Sequence, residues 1–96
     1  MLQDLPNPLD IEGHTDAQPF RWVGPNSTYD NWDLSTDRAN AARRILVQNG
    51  IGEERVAKIV GFADTKLKNT EDPRDAANRR ITIRVRYAHD LSLIHI

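Results

Sequence analysis

The chain contains one strongly marked helix and no equal to it, and that limits the possible architectures more than any other feature. Ala39, Ala42, Ile45, Leu46 and Asn49 recur at three- and four-residue spacing and form a narrow apolar stripe. Ser35 reads as the N-cap, its hydroxyl placed for the amide of Asp37 or Arg38, and Asp37 suits the positive end of the helix dipole. Gly50 can take the left-handed position just past the helix end, with Ile51 packing back on the last turn. Arg38, Arg43 and Arg44 lie off the stripe or at its edge. A single helix with one apolar stripe has to cover a sheet.

The flanking sequence supplies strands for that sheet. Pro6 and Pro8 exclude a helix through the opening residues. Leu9, Ile11 and Gly13 then alternate with Asp10 and Glu12, a short strand running into Gly13-His14-Thr15-Asp16. Residues 55–61 (RVAKIVG) form a compact apolar strand around Val56, Ile59 and Val60. In the last strand Ile81, Ile83, Val85 and Tyr87 face one way and Thr82, Arg84 and Arg86 the other, one face to the core and one to water. Between these lie a long loop over 17–33, with Phe20, Trp22, Tyr29 and Trp32 to anchor it, and a polar loop over 63–78 holding a helical turn around 73–77. The order strand, loop, helix, strand, loop, strand predicts an α/β (or α+β) two-layer domain, a small mixed sheet covered by helix. Three strands and one helix make a thin core, so a whole domain of this kind is expected to carry a further strand and helix.

Composition narrows the function. A formal net charge of -1 gives no basic excess for nucleic acid. The absence of cysteine removes disulfides, thiolate metal sites and cysteine nucleophiles together. No apolar run approaches the roughly 20 residues that a membrane helix needs, and Met1-Leu2-Gln3-Asp4 does not read as a signal peptide. If the domain works outside the cytosol, its exporting segment is expected upstream.

Three short motifs carry the candidate chemistry: GHTD (13–16), NWDLSTDRA (31–39) and NRR (78–80). Each sets polar or charged side chains at the edge of a secondary-structure element. A carboxylate beside a guanidinium can grip a zwitterion, aspartate taking the ammonium and arginine the carboxylate in its two-pronged geometry. Free amides at the helix start behind Ser35 would add donors for the same anion. Spacing alone does not bring these loops together. From the residues alone, Asp16 capping a turn and Arg38 pairing with Asp37 or Asp33 on a solvated face are the plainer readings. Other chemistries fit poorly: His14, Asp16 and His89 match no metal-site spacing. An Asp16–Asp33 acid/base pair lacks a nucleophile and an apolar pocket to raise a carboxyl pKa.

The pattern GHTD…NWDLSTDRANAARRIL…GI…V…VGFAD…NRRITI resembles the OmpA-like peptidoglycan-binding family over roughly residues 9–87, in motif identity, order and approximate spacing. The resemblance implies non-catalytic binding of the diaminopimelate of a peptidoglycan stem peptide by Asp16 and Arg38, with Asn31, Leu34, Asn78 and Arg79 completing the site, and no cofactor or metal. The long loop before Leu34, and the runs RVAKIVGFADT and EDPRDAANRRITI, are similar to the flagellar stator branch of the family, the MotB type. That branch implies a periplasmic domain of an inner-membrane protein, a homodimer, and a MotA-type channel subunit as partner through an upstream membrane segment. The rival within the family is an outer-membrane or lipoprotein cell-wall anchor unconnected with motility. Outside it, the rival is a protein-interaction module with an inactive ligand site. The resemblance places the domain at residues 1–87, with the family's first strand and most of its first helix missing from it, and leaves 88–96 as a tail unlike the family.

Overall fold

The computed structural model describes residues 7–19, 28–86 and the backbone of 93–95. Strand β1 (Leu9–His14) is the centre of the sheet, and every one of its residues is buried. Strand β2 (Val56–Gly61) pairs with it in parallel and β3 (Arg80–Arg86) pairs antiparallel on its other side. A parallel pair needs a crossover. Helix α1 (Asn31–Gln48) provides it and lies over β1 and β2 on one face. A short fourth strand, β4 (Leu93–His95), pairs antiparallel with Arg84–Arg86, giving the order β2-β1-β3-β4. The expected two-layer mixed sheet under a helix is therefore what forms. Phe20, Trp22 and Tyr87 lie outside the described residues, as does the tail apart from β4.

The core sits between α1 and the near face of the sheet. Leu9, Ile51 and Val85 form its centre, with Leu46 and Ile83 packed against them. Glycine sets the distance between the layers. A Cβ on Gly13 would land on the carbonyl of Ser35, and one on Gly61 would meet Thr36 and the Ser35 hydroxyl. Helix and sheet touch backbone to backbone here, at the end of the sheet where β1 and β2 finish.

Three sequence expectations need correction. The helix begins at Asn31, not at Ser35. Asp30 is the N-cap, accepting from the amides of Trp32 and Asp33, while the Asp33 carboxylate accepts from the Asp30 amide. Ser35 instead lies fully buried inside the helix, donating to the Trp32 carbonyl and accepting from the Ala63 amide at 3.0 Å. Ile45 was expected on the buried stripe and is 59% exposed, because the buried line runs through Ser35, Ala39 and Leu46, one residue round from it. Finally, the second face of the sheet does not meet water along its centre. Asp10, Glu12 and His14 are buried there beneath basic side chains of the neighbouring strands.

The helix end matches the expectation. Gly50 has φ 99°, its amide bonds to the Val47 carbonyl, and the amide of buried Ile51 reaches back to Leu46 at 3.0 Å.

Candidate ligand-binding site

Beyond the ends of β1 and β2 the loops converge on one open pocket of about 560 Å³. Its walls are Thr15, Asp16, Gln18, Pro19, Asn31, Leu34, Arg38, Arg74 and Arg79. The volume is of ordinary small-ligand size, and strand C-termini are the usual place for such sites in α/β sheets.

Asp16 is fixed from both sides in sequence. The Thr15 amide donates to the Ala63 carbonyl at 2.8 Å, tying the end of β1 to the turn after β2. Ala63 holds φ 51°, a left-handed conformation uncommon for a residue with a side chain, and its amide is bound to Ser35. The Gln18 amide donates to Asp16 Oδ1 at 2.9 Å, and Asn31 Nδ2 donates to the Gln18 carbonyl at 3.0 Å, stapling the loop to the first turn of α1. The Ala17 amide reaches the Pro73 carbonyl at 2.8 Å, which joins this loop to the one carrying Arg74. The result is a buried carboxylate, its side chain 9% exposed and its Oδ2 turned toward Arg79 Nε at 3.6 Å.

Leu34 and Arg38 are one helical turn apart on α1 and share the pocket wall. Arg38 lies in the third turn, well inside the helix. The free amides expected behind Ser35 are therefore unavailable, and those at the true start are taken up by Asp30. The Arg38 and Arg74 guanidinium groups make no hydrogen bond or ion pair among the described residues. Asp37, beside Arg38, is engaged by the Tyr29 hydroxyl at 2.6 Å, a bond that pushes the Tyr29 pKa up to about 12.

Five of the six residues marked from sequence, Asp16, Asn31, Leu34, Arg38 and Arg79, thus line one pocket. Asn78 stands apart. It is fully buried, its Oδ1 accepts from the Asn69 amide at 2.6 Å, and its Nδ2 is donated to the carbonyls of Asn69, Asp72 and Pro73. Its amide group is consumed in shaping the loop that carries Arg74. Arg74, Thr15, Gln18 and Pro19 were not marked from sequence. Trp32 is 53% exposed and borders an adjoining shallow groove with Ala17, Pro19, Asp30, Asn31, Ala63 and Asp64. Among the described residues there is no cluster of three or more metal-ligating side chains.

Fold and pocket together define a small α/β domain with charged side chains gathered in a cleft at the strand ends. The chain belongs to the OmpA family, which it matches over residues 2–80. That family consists of non-catalytic binding and structural domains. The chain is 41% identical over 85 residues to motility protein B of Escherichia coli strain K12, a match covering 88% of this chain and 27% of that protein's length. Its fold is similar to a crystal form of the C-terminal domain of MotB from Helicobacter pylori, with TM-score 0.66 and 22% identity over 85% of this chain and 62% of that one. It is also similar to the periplasmic domain of the same Helicobacter protein, with TM-score 0.63 and 21% identity over 84% of this chain and 56% of that one.

Proposed function

We propose that the domain binds peptidoglycan without acting on it chemically and anchors a flagellar stator complex to the cell wall. The observation that carries this reading is a buried carboxylate and an uncompensated guanidinium, Asp16 and Arg38, in the wall of one pocket. Asp16 accepts an ammonium group and Arg38 grips a carboxylate with both prongs, together holding the zwitterionic centre of a diaminopimelate-containing stem peptide. Asn31 and Leu34 shape the wall, Arg79 completes it, and Asn78 acts at one remove by holding its loop. The likeness to motility protein B supports the motor setting, and the likeness to a periplasmic MotB domain supports a periplasmic location. Among the described residues no helix is long and apolar enough to cross a membrane. In this reading the membrane segment that meets a MotA-type channel subunit belongs to sequence upstream, and the domain works as a homodimer.

Cosedimentation of the full chain with purified peptidoglycan tests the proposal. Asp16→Ala and Arg38→Ala each leave one ligand charge unpaired in a partly desolvated pocket, at a cost of about 2–3 kcal/mol, or some 30- to 150-fold in affinity. Arg38→Lys recovers part of the loss, since an ammonium cannot match the planar fork. Both alanine variants binding like the parent, with circular dichroism showing all of them folded, would falsify the assignment.

A further inference from the structure

The charges of the pocket wall do not balance. Among the described residues Asp16 is its sole acid, against Arg38, Arg74 and Arg79. The nearest acids by sequence do not line the pocket: Asp37 is bound by Tyr29, Asp72 accepts from the Arg74 amide, and Asp75, whose charge reaches Arg79, has its carboxylate held by the Ala77 amide and the Asn69 side chain. A zwitterionic centre brings one positive and one negative charge. It would satisfy Asp16 and Arg38 and leave the other two guanidinium groups without an anion inside the pocket.

Resting on the peptidoglycan reading, we infer that Arg74 and Arg79 form a second carboxylate subsite, so that the ligand is a peptide end with one free ammonium and two free carboxylates. The geometry gives Arg79 a part in both halves. Its Nε lies 3.6 Å from Asp16 Oδ2, too long for a hydrogen bond, with the side chain 52% exposed. An ammonium arriving at Asp16 displaces that loose pairing and frees Arg79 to turn toward the second carboxylate beside Arg74. The loop is held for this by the Ala17–Pro73 backbone bond and by buried Asn78. Amide cross-linking removes an ammonium from one peptide and a carboxylate from another. The site accordingly selects stem ends that cross-linking has left free.

The test uses three soluble synthetic peptides, titrated calorimetrically into the full chain and its Arg74→Gln variant. The first ends in a residue with a zwitterionic side-chain centre and a free C-terminal carboxylate. The second has that terminal carboxylate amidated, and the third has the side-chain ammonium acetylated. Amidation is expected to weaken binding to the parent about tenfold and to Arg74→Gln twofold or less, because only the parent holds the charge being removed. Binding of the first peptide should also fall more steeply with added salt than binding of the second. Equal affinity of the parent for the first two peptides, or an equal amidation loss in both proteins, overturns the second subsite. Acetylation is expected to abolish binding to both proteins. If acetylation has no effect, or no peptide binds, the Asp16–Arg38 reading fails along with the inference drawn from it.

Discussion

On the second face of the sheet every described acid lies against a base, whereas in the pocket beyond the end of β1 the bases outnumber the acids three to one. The two clusters are only a few residues apart along the same strand. Asp10 receives Arg86 at 2.8 Å and Lys58 at 3.8 Å, and Glu12 receives Arg84 and, at 3.3 Å, His14. Asp10 and Glu12 lie opposite Arg84 and Thr82 on β3, so each ion pair with β3 runs diagonally to the next residue but one, whereas Lys58 on β2 lies directly opposite Asp10. His14 stacks on Phe62 at 5.2 Å, and Lys66 lies over the other ring. Among the described residues, Asp10 Oδ1 and His14 Nδ1 are buried there without a hydrogen-bond partner. Charge neutralised internally in this way holds strands in register. Arg38 and Arg74 have no such partner among the described residues, and under the proposed function that surplus is what meets the ligand.

Breaking the compensated face is expected to have the largest effect. Arg84→Met leaves Glu12, 5% exposed, without its guanidinium partner, and should cost about 3–5 kcal/mol of stability in urea titration. A loss under about 1 kcal/mol would mean that this ladder is incidental to the fold. Deleting residues 88–96 asks whether the face also depends on β4, which pairs with the same stretch Arg84–Arg86. The family match covers residues 2–80 and does not reach the tail, so the deletion is expected to cost less than about 1 kcal/mol and to leave peptidoglycan binding unchanged. A larger loss makes β4 an integral strand.

The smallest effect is a pH dependence. Burial first, and then the charge of Arg80, hold the His14 pKa below its ordinary 6.5, outweighing the opposing pull of Glu12. The unfolded chain then takes up a proton before the native one does. His14 contributes no slope well above pH 6.5, and stability falls as pH drops below that value. The urea midpoint of the parent should decline between about pH 7.5 and about pH 5.5, and His14→Gln should flatten the decline. An unchanged slope in the variant would assign it to other groups.

The sequence exposed some of this and hid the rest for identifiable reasons. The C-terminal end of α1 was legible because Gly50 and Ile51 have few other uses side by side. The N-terminal end was not, since Ser35 and Asp30 both suit a cap, and Ser35 is diverted by a contact with Ala63 that no local pattern announces. The alternation of β1 was plain, but the burial of its acids depends on which strands flank it. In the same way, the motifs named Asp16, Asn31, Leu34, Arg38 and Arg79, while their meeting in one pocket needed the Gly13 close approach and the Ala17–Pro73 link. Arg74 was passed over because a lone exposed arginine in a loop carries no pattern. Arg74, Arg79 and Arg80 set against Asp75 alone, across residues 74–80, was the available signal.

If the two adjacent charge clusters have separate tasks, stability and peptidoglycan affinity should separate when both are measured on the same pair of variants. Arg38→Ala should bind peptidoglycan some 30- to 150-fold more weakly than the parent while its urea midpoint moves by no more than about 0.5 kcal/mol equivalent. Arg84→Met should lose about 3–5 kcal/mol of stability while its folded fraction binds peptidoglycan with parental affinity. The claim is contradicted if Arg38→Ala loses stability in proportion to affinity, or if folded Arg84→Met binds as poorly as Arg38→Ala.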